Sequence, residues 1–375
     1  MSKDAHFTGQ PIFSQILSFL DKGKIAGLTS QFQADRYYKR FRTYHHLVTM
    51  LYATFHKCTS LREVTTGMQA LAHRLEHLGM DYCPRRSTLS DANRDRPSEV
   101  FEAIYLDLYQ SLGKHLPDSR SVYKWWSRLY IVDSTTVSLF KEILKNAGRP
   151  NIDGRRKGGI KVHTLMKADE DVPCLVKMTA AAAHDVPFIK GLALPKGSIV
   201  TFDKGYVDYQ QYDLWTQQKI WWVTRLKKGA QYTIEELLPI STKEQEKGIR
   251  MDAKIILGHQ VHDKVTRTPA RLVLYYDKQS NTEFYFITNH TKFSPSVIAL
   301  IYQKRWQIEI LFKRIKQNFP IKYFLGDNEN AIRIQIWCAL IADLLLKFIQ
   351  SILKRNWSFG NLSSMIRIHL MSYLH

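Results

Sequence analysis

LYIVDSTTVSL, residues 129–139, is rich in β-branched residues and predicts a β-strand followed by a polar turn. Two more strands are predicted directly after it, and a strand, a helix and a further strand come next. Three strands in succession, followed by strands that alternate with helices, predict an α/β fold with a mixed sheet flanked by helices. In chain order, the later segments are GIKVHTLMKAD (159–169), PCLVKMTAAAA (173–183), SIVTFD (198–203), VDYQQYDLWTQQ (207–218) and IWWVTRL (220–226).

The segments on either side of this region predict a chain of four parts. Apolar residues before position 118 recur at three- and four-residue steps, which indicates helices. A polar stretch followed by three β-rich runs then separates the last strand from further helical sequence. The predicted parts are a helical N-terminal domain (1–118), a core (119–226 and 294–350), a β-rich insertion (227–293) and a C-terminal helical tail (351–375).

The charge of the chain indicates a polyanionic partner. Its 375 residues carry 54 Lys and Arg against 34 Asp and Glu, a net charge of +20. Cations that neutralise phosphates release condensed counterions, so this balance favours nucleic acid. A membrane is not expected, because no segment has about 18 uninterrupted apolar residues and the N-terminus has no signal-peptide pattern. The most apolar run, residues 336–349, contains Asp343 and Lys347 and is predicted to be a buried helix.

A second informative stretch is IYQKRWQIEILFKRIKQNF, residues 301–319. Read as one helix, it places Tyr302, Arg305, Glu309 and Lys316 along a single narrow edge, beside an apolar stripe. The window 301–322 contains six Lys and Arg residues and one acid. A solvated amphipathic helix is the alternative, but such helices usually mix charges of both signs. The pattern therefore favours a carboxylate held among side chains that suit phosphates.

Two aspartates lie where predicted strands meet polar turns. Asp133 follows Leu-Tyr-Ile-Val, and Asp203 follows Ile-Val-Thr-Phe. Either aspartate alone is typical of a helix cap or a turn, but together with Glu309 they form a set of three acids with basic neighbours. Such a set suits two Mg²⁺ ions, which prefer oxygen ligands and catalyse phosphodiester chemistry. His163 and His184 are interpreted as hydrogen-bonded structural or phosphate-facing groups rather than as metal ligands.

The four cysteines, Cys58, Cys83, Cys174 and Cys338, form no C-x-x-C pair. Their spacing matches neither a zinc site nor a disulfide framework. We interpret them as free thiols in a reducing cytoplasm.

Within the N-terminal part, RYYKRFRTYHH (36–46) interleaves cations with aromatic residues. This composition is common in DNA-binding segments, and it equally fits a charged helix face with aromatic residues in the core. The polar segment RRSTLSDANRDR (85–96) is a second candidate for a DNA contact. Residues 1–118 are therefore predicted to bind DNA, and the candidate contacts in the first segment are Arg36, Lys39, Arg40 and Arg42.

The residues of the helix motif also carry a family resemblance. The spacing Tyr-x2-Arg-x3-Glu-x6-Lys from Tyr302 to Lys316 resembles the signature of the IS4-type DDE transposases of bacterial insertion sequences. VDSTTV around Asp133 and FDKGY around Asp203 are similar to the first two catalytic blocks of that family. Three further residues, Lys161, His163 and Arg225, resemble its recurring positions, and the resemblance covers about residues 125–350.

This resemblance implies an RNase H-like core in a DNA transposase. Asp133, Asp203 and Glu309 would then bind two Mg²⁺ ions, for which Mn²⁺ can substitute. Tyr302, Arg305 and Lys316 would position the phosphates of the transposon ends. The enzyme would bind the terminal inverted repeats, cleave them and join them to target DNA, as a homodimer when the ends are paired. It would work in the bacterial cytoplasm, in association with the nucleoid.

Some members of the family pass through a hairpinned transposon end, which requires an aromatic side chain to stack on a flipped base. Trp221 and Trp222 lie within a predicted strand, and the polar part of the insertion contains no Trp. The sequence therefore does not identify that aromatic residue.

Two other functions remain open from the residues. A two-metal nuclease would cut DNA without joining it, but it gives no reason for a large N-terminal DNA-binding domain. A DNA-binding protein that has lost catalysis would keep the fold, yet all three acids and the helix motif are present.

Overall fold

The computed structural model describes residues 9–116, 123–138, 149–150, 156–157, 159–261 and 264–373. The chain divides into two compact units. The helical unit takes its residues from 1–117, 137–160 and 312–375, and the sheet unit from 118–136 and 161–311. The division into an N-terminal domain, a core, an insertion and a tail stays a prediction.

Most helices of the described residues belong to the helical unit. The Ser60 hydroxyl caps the helix that follows it by accepting a hydrogen bond from the Glu63 amide (3.2 Å). The helices are α1 (Ile12–Leu17), α2 (Lys22–Gln31), α3 (Thr43–His56), α4 (Leu61–Ala70), α5 (Arg86–Asp95), α6 (Ser98–Leu112), α7 (Val186–Lys190), α8 (Tyr209–Gln217), α9 (Thr242–Glu246), α10 (Pro295–Lys304), α11 (Trp306–Asn318), α12 (Glu329–Ile352) and α13 (Phe359–His369). Short 3₁₀ turns cover Ala72–Leu78, Gly113–His115, Trp126–Arg128 and Lys204–Tyr206.

The long helix α12 forms the centre of the helical unit. The predicted burial of its apolar run is confirmed, since residues 336–346 are all buried. Asp343 is tolerated there because the Arg314 guanidinium pairs with it through two bonds of 2.9 Å. Among the residues that the structure describes, no helix has both the length and the apolar character needed to cross a membrane.

A nine-stranded mixed sheet organises the sheet unit, which confirms the predicted fold class. Its order is β5-β4-β1-β6-β7-β11-β10-β9-β8, and β1, β6 and β7 run parallel. From β7 onward, the neighbouring strands are antiparallel. The strands are β1 (Leu129–Ser138), β4 (Gly159–Lys167), β5 (Val172–Ala180), β6 (Ile199–Phe202), β7 (Trp221–Arg225), β8 (Gln231–Leu237), β9 (Ile249–Val261), β10 (Lys264–Asp277) and β11 (Thr282–Thr288). A separate pair joins β2 (Arg149–Pro150) to β3 (Arg156–Lys157).

The strands of residues 227–293 extend this sheet, because β11 pairs with β7. The polar stretch at the start of this region contains a fourth strand, β8, in addition to the three predicted runs. All seven residues of β8 are exposed. β8 is the edge strand of the sheet and covers no core, so its apolar residues Tyr232, Ile234 and Leu237 are exposed.

The apolar core of the sheet unit forms beneath the parallel strands. Phe202 and Trp222 pack with Tyr212 and Trp215 of α8, and the rings of Tyr212 and Trp222 stack at 4.4 Å. Asp208 caps α8 by accepting a hydrogen bond from the Gln211 amide (2.9 Å). This packing fixes the strand β6, after which Asp203 lies.

Candidate active site

The two aspartates lie side by side on neighbouring parallel strands. Val132 of β1 is paired with Phe202 of β6, so Asp133 and Asp203 are the next residues in the same register. The carboxylate of Asp133 accepts a hydrogen bond from the Ser134 amide (2.8 Å). The carboxylate of Asp203 caps the following 3₁₀ turn and accepts from the Gly205 amide (3.3 Å). Parallel pairing therefore brings together two acids that are 70 positions apart in the sequence.

The expectation of one continuous helix over residues 301–319 was wrong. The segment forms α10 and α11, with Arg305 as the residue between them. The Arg305 amide donates to the Tyr302 carbonyl (3.0 Å), and the Ile308 amide donates to the Arg305 carbonyl (3.2 Å). These are three-residue steps, so the backbone winds more tightly here than an α-helix does.

Arg305 connects two of the three predicted acids. Its Nη1 donates to Oδ2 of Asp133 (3.0 Å), and its Nη2 donates to Oε1 of Glu309 (2.6 Å). The hydroxyl of Tyr302 donates to Oδ1 of Asp203 (3.4 Å). All five side chains belong to the sheet unit and form one polar cluster.

Charge repulsion and burial both act on Asp133. The pKa of Asp133 is raised to about 6, mainly by burial. The nearby carboxylates of Asp203 and Glu309 contribute to this rise, and the Ser134 amide and Arg305 oppose it. Three oxygen-donor side chains that repel one another form a donor set that a divalent cation would stabilise. As placed, no three acid, His or Cys side chains of the described residues are arranged to hold a metal ion. Arg305 instead supplies positive charge to Asp133 and Glu309.

Two predicted DNA contacts are placed inside the protein. Lys161 and His163 are only 2% and 1% exposed. The Lys161 ammonium donates to the Ala183 carbonyl (2.6 Å) and to Oδ1 of Asp185 (3.1 Å). The Nε2 atom of His163 lies 2.9 Å from the Thr179 hydroxyl. We therefore correct their assignment as DNA contacts, because as folded neither side chain is accessible to a phosphate.

The other predicted DNA contacts, Arg225 and Lys316, are less buried than Lys161 and His163. Arg225 ends β7 half-buried, with its guanidinium 4.9 Å from the centre of the Phe284 ring. Its charge acts on Tyr302, whose pKa is nevertheless raised by burial. Lys316 lies in the last turn of α11, in the part of that helix that belongs to the helical unit, and burial lowers its pKa.

The four predicted N-terminal cations are all exposed. They lie in the turn segment before α3, not on a helix face. The aromatic residues between them differ in exposure: Tyr37 is 82% exposed, whereas Phe41 is buried in the core. Arg36 and Arg42 also line an open cavity of about 700 Å³.

Sequence reasoning did not assign a role to Ser134, Asp185 or Trp306. The hydroxyl of Ser134 donates to Oδ1 of Asp185 (3.0 Å), next to Asp133. Trp306 follows Arg305 directly and is 60% exposed. An exposed aromatic ring of this kind can stack on unpaired bases.

The segment between β11 and α10 depends on an uncharged histidine. Nδ1 of His290 accepts hydrogen bonds from the amides of Lys292 (3.2 Å) and Phe293 (3.1 Å). Burial lowers the pKa of His290 to about 4, and the neighbouring Arg271 contributes. The bonds that neutral His290 accepts contribute fully to the stability of the fold above the pKa of an unfolded histidine, near 6.5.

As the pH falls from about 6.5 to about 4, this stability should be lost, with a slope of about 1.4 kcal/mol per pH unit for one proton. His290→Asn keeps an acceptor near Nδ1 but does not titrate. We expect the urea midpoint of the sheet unit to fall less between pH 6.5 and 5 in the variant than in the wild type. An equal fall of the urea midpoint in the variant and the wild type would contradict a lowered pKa of His290 in the folded protein.

The site lies within a match to a known protein family. A family model described as the transposase DDE domain matches residues 126–345, which is more than half of the chain. A second family model, described as a domain of unknown function (DUF4372), matches residues 8–81.

Three curated relatives are similar over most of the chain, and each is assigned by its name as a transposase. The protein y4zB of Sinorhizobium fredii is 31% identical over 266 residues, covering 70% of this chain and 71% of that protein. The protein of insertion sequence element IS4SA from Synechocystis sp. is 25% identical and covers 77% and 78%. The protein of element IS5377 from Geobacillus stearothermophilus is 26% identical and covers 70% and 67%.

Among solved structures, the chain is similar to that of a piggyBac transposase synaptic complex with hairpin DNA. The TM-score is 0.44 at 11% identity, over 97% of this chain and 79% of that chain. A likeness of this size supports no inference about function.

Proposed function

The chain belongs to the DDE transposases of insertion sequences, and from this premise we propose that Asp133, Asp203 and Glu309 are its catalytic metal ligands. As a DNA transposase, it is an enzyme that cleaves and transfers DNA. The observation that carries the proposal is the single cluster formed by the three acids with Tyr302 and Arg305.

The donor set fits Mg²⁺ or Mn²⁺, since all three side chains offer carboxylate oxygens. When bound, two such ions would activate the attacking water or 3′-hydroxyl and stabilise the leaving oxygen. The protein contributes the positions of the acids: β1 and β6 hold two aspartates in register, and α11 holds the glutamate one turn after Arg305.

Arg305 has two roles in this proposal. In the structure, its guanidinium pairs with Asp133 and Glu309 through bonds of 3.0 and 2.6 Å. A divalent cation would replace this charge and free the guanidinium to bind a DNA phosphate, which it can grip through two parallel bonds. Tyr302 and Lys316 would each contact a phosphate of the transposon end.

Further DNA contacts are proposed outside this cluster. Arg225 and the exposed cations Arg36, Lys39, Arg40 and Arg42 would bind the DNA backbone, since Lys and Arg contacts to phosphate position a protein without reading sequence. Residues 1–118 would serve as the DNA-binding domain. Two copies of the chain would bring the two ends of the element together.

End joining separates this function from a simple nuclease. The full chain would be incubated with Mg²⁺ and a plasmid that carries the terminal inverted repeats of its own element. We expect cleavage at the repeats and joining of the ends to a second plasmid. Cleavage without joined products would favour a nuclease, and products independent of the repeats would contradict end recognition.

The phosphate contacts make a further prediction about salt. Arg305→Gln and Lys316→Gln should each weaken binding to an end duplex and lower the slope of log K against log salt by about 0.9, the value for one lost phosphate contact. Lys278→Gln is the matched control, since Lys278 is an exposed cation in the turn after β10. A slope equal to that of the control would show that the side chain faces protein instead of DNA.

A further inference from the structure

A hydrogen-bonded network, with its lysine buried, lies next to Asp133. Oδ1 of Asp185 accepts hydrogen bonds from the Ser134 hydroxyl (3.0 Å) and from the Lys161 ammonium (3.1 Å). Nδ1 of His163 lies 3.6 Å from the same oxygen. Three side chains from two different strands therefore converge on one carboxylate oxygen.

The lysine makes this network rigid. Its ammonium is almost fully buried and holds both Asp185 and the Ala183 carbonyl. A buried charge that lost its partner would be strongly destabilising, so Asp185 has little freedom to move away. The position of Asp185 is thus fixed from β4, independently of β1.

The network reaches the site through Ser134. The side chain of Ser134 is held by Asp185, and its backbone amide donates to Oδ1 of Asp133 (2.8 Å). Fixing the Ser134 side chain also fixes the direction of this amide. Carboxylates that bind metals need such outer hydrogen bonds to hold their orientation, and losing one typically costs 10–100-fold in metal affinity or activity.

We propose that Asp185 is a positioning residue of this enzyme: it holds Ser134, and through the Ser134 amide it orients Asp133 as a metal ligand. Lys161 belongs to the same device, which gives this buried residue a role other than DNA contact. The inference rests on the proposed function of Asp133.

The test measures Mn²⁺ affinity directly. Free Mn²⁺ is counted by electron paramagnetic resonance while it is titrated into the full chain bound to a pre-cut end duplex. We expect affinity to fall about 10–100-fold in Ser134→Ala and at least about tenfold in Asp185→Asn. Ser134→Thr keeps the hydroxyl and should restore affinity to within about threefold of the wild type. The kcat of end cleavage should follow the same order, with end-duplex affinity unchanged.

A matched control removes a similar bond elsewhere in the sheet unit. The Thr268 hydroxyl donates to Oδ2 of Asp213 (3.1 Å), and Thr268→Val deletes it without touching the network. Mn²⁺ affinity should not change in this variant. If Asp185→Asn does not fold, the comparison of Ser134→Ala with Ser134→Thr still decides the question.

Two results would overturn the inference: wild-type Mn²⁺ affinity in Ser134→Ala, or an equal loss in Ser134→Ala, Ser134→Thr and Thr268→Val. The variant Asp133→Asn distinguishes a failure of the proposed function from a failure of the proposed role of Asp185. Normal Mn²⁺ binding in Asp133→Asn would contradict the proposed function itself. Weak binding in Asp133→Asn with normal binding in Ser134→Ala would contradict only the role of Asp185.

Discussion

Asp133→Asn, Asp203→Asn and Glu309→Gln should each lower the rate of transposon-end cleavage by at least about a thousandfold, which corresponds to about 4 kcal/mol of transition-state free energy. Each change replaces a charged oxygen ligand by a neutral amide of the same size, so folding should survive. Binding of an end duplex should stay within a few-fold of the wild type, because none of the three acids is proposed to contact a phosphate. Cleavage is measured under single-turnover conditions with Mg²⁺.

The control for these variants is Asp213→Asn, the same change in an acid that lies on α8 and pairs with Thr268. Its cleavage rate should remain near that of the wild type. Full cleavage by one of the three site variants would remove that residue from the catalytic set. A loss of end binding that parallels the loss of cleavage would point to a folding defect instead.

The second large effect concerns stability, and it originates at the buried pair of Asp252 and Arg271. The two side chains are 3% and 6% exposed and form two bonds of 2.7 and 2.6 Å. Nη1 of Arg271 also donates to the carbonyl of Phe293 (2.7 Å), in the segment that leads into α10. Asp252→Ala leaves a buried guanidinium without its counter-charge, which should lower the free energy of unfolding by about 3–5 kcal/mol.

An exposed ion pair between β8 and β9, the strand that carries Asp252, supplies the comparison. Lys254 and Glu236 lie 2.6 Å apart, with about half of each side chain exposed. Glu236→Ala should therefore change stability only slightly, because solvent screens exposed pairs. Urea unfolding of both variants measures the difference. Equal stability losses would mean that the pair between Asp252 and Arg271 is not the anchor of the segment before α10.

The aspartates could be found in the sequence because the strands that precede them are strongly patterned. Each follows four apolar or β-branched residues, and strands of this kind in an α/β protein tend to be parallel neighbours. In the structure, the register of β1 and β6 brings Asp133 beside Asp203. The position of Glu309 on a helix was also predictable from the spacing of its apolar neighbours.

The placement of the cations could not be predicted in the same way. Eight successive residues of β4 are buried, so this strand shows no alternation that would reveal Lys161 and His163 as interior residues. The contacts of Arg305 depend on the break between α10 and α11, and no proline or glycine marks that break. An arginine in a basic helix suggests a phosphate ligand. Only the fold shows that its partners are Asp133 and Glu309.

The central claim is that three carboxylates from two strands and a helix hold catalytic metal ions in place of Arg305. Anomalous diffraction from crystals of the full chain with Mn²⁺ and a pre-cut end duplex tests it most directly. We predict Mn²⁺ peaks within roughly 2.0–2.5 Å of oxygens of Asp133, Asp203 and Glu309, with the Arg305 guanidinium on a DNA phosphate. Peaks elsewhere, or a guanidinium still bound to Asp133 and Glu309 beside ordered end DNA, would contradict it.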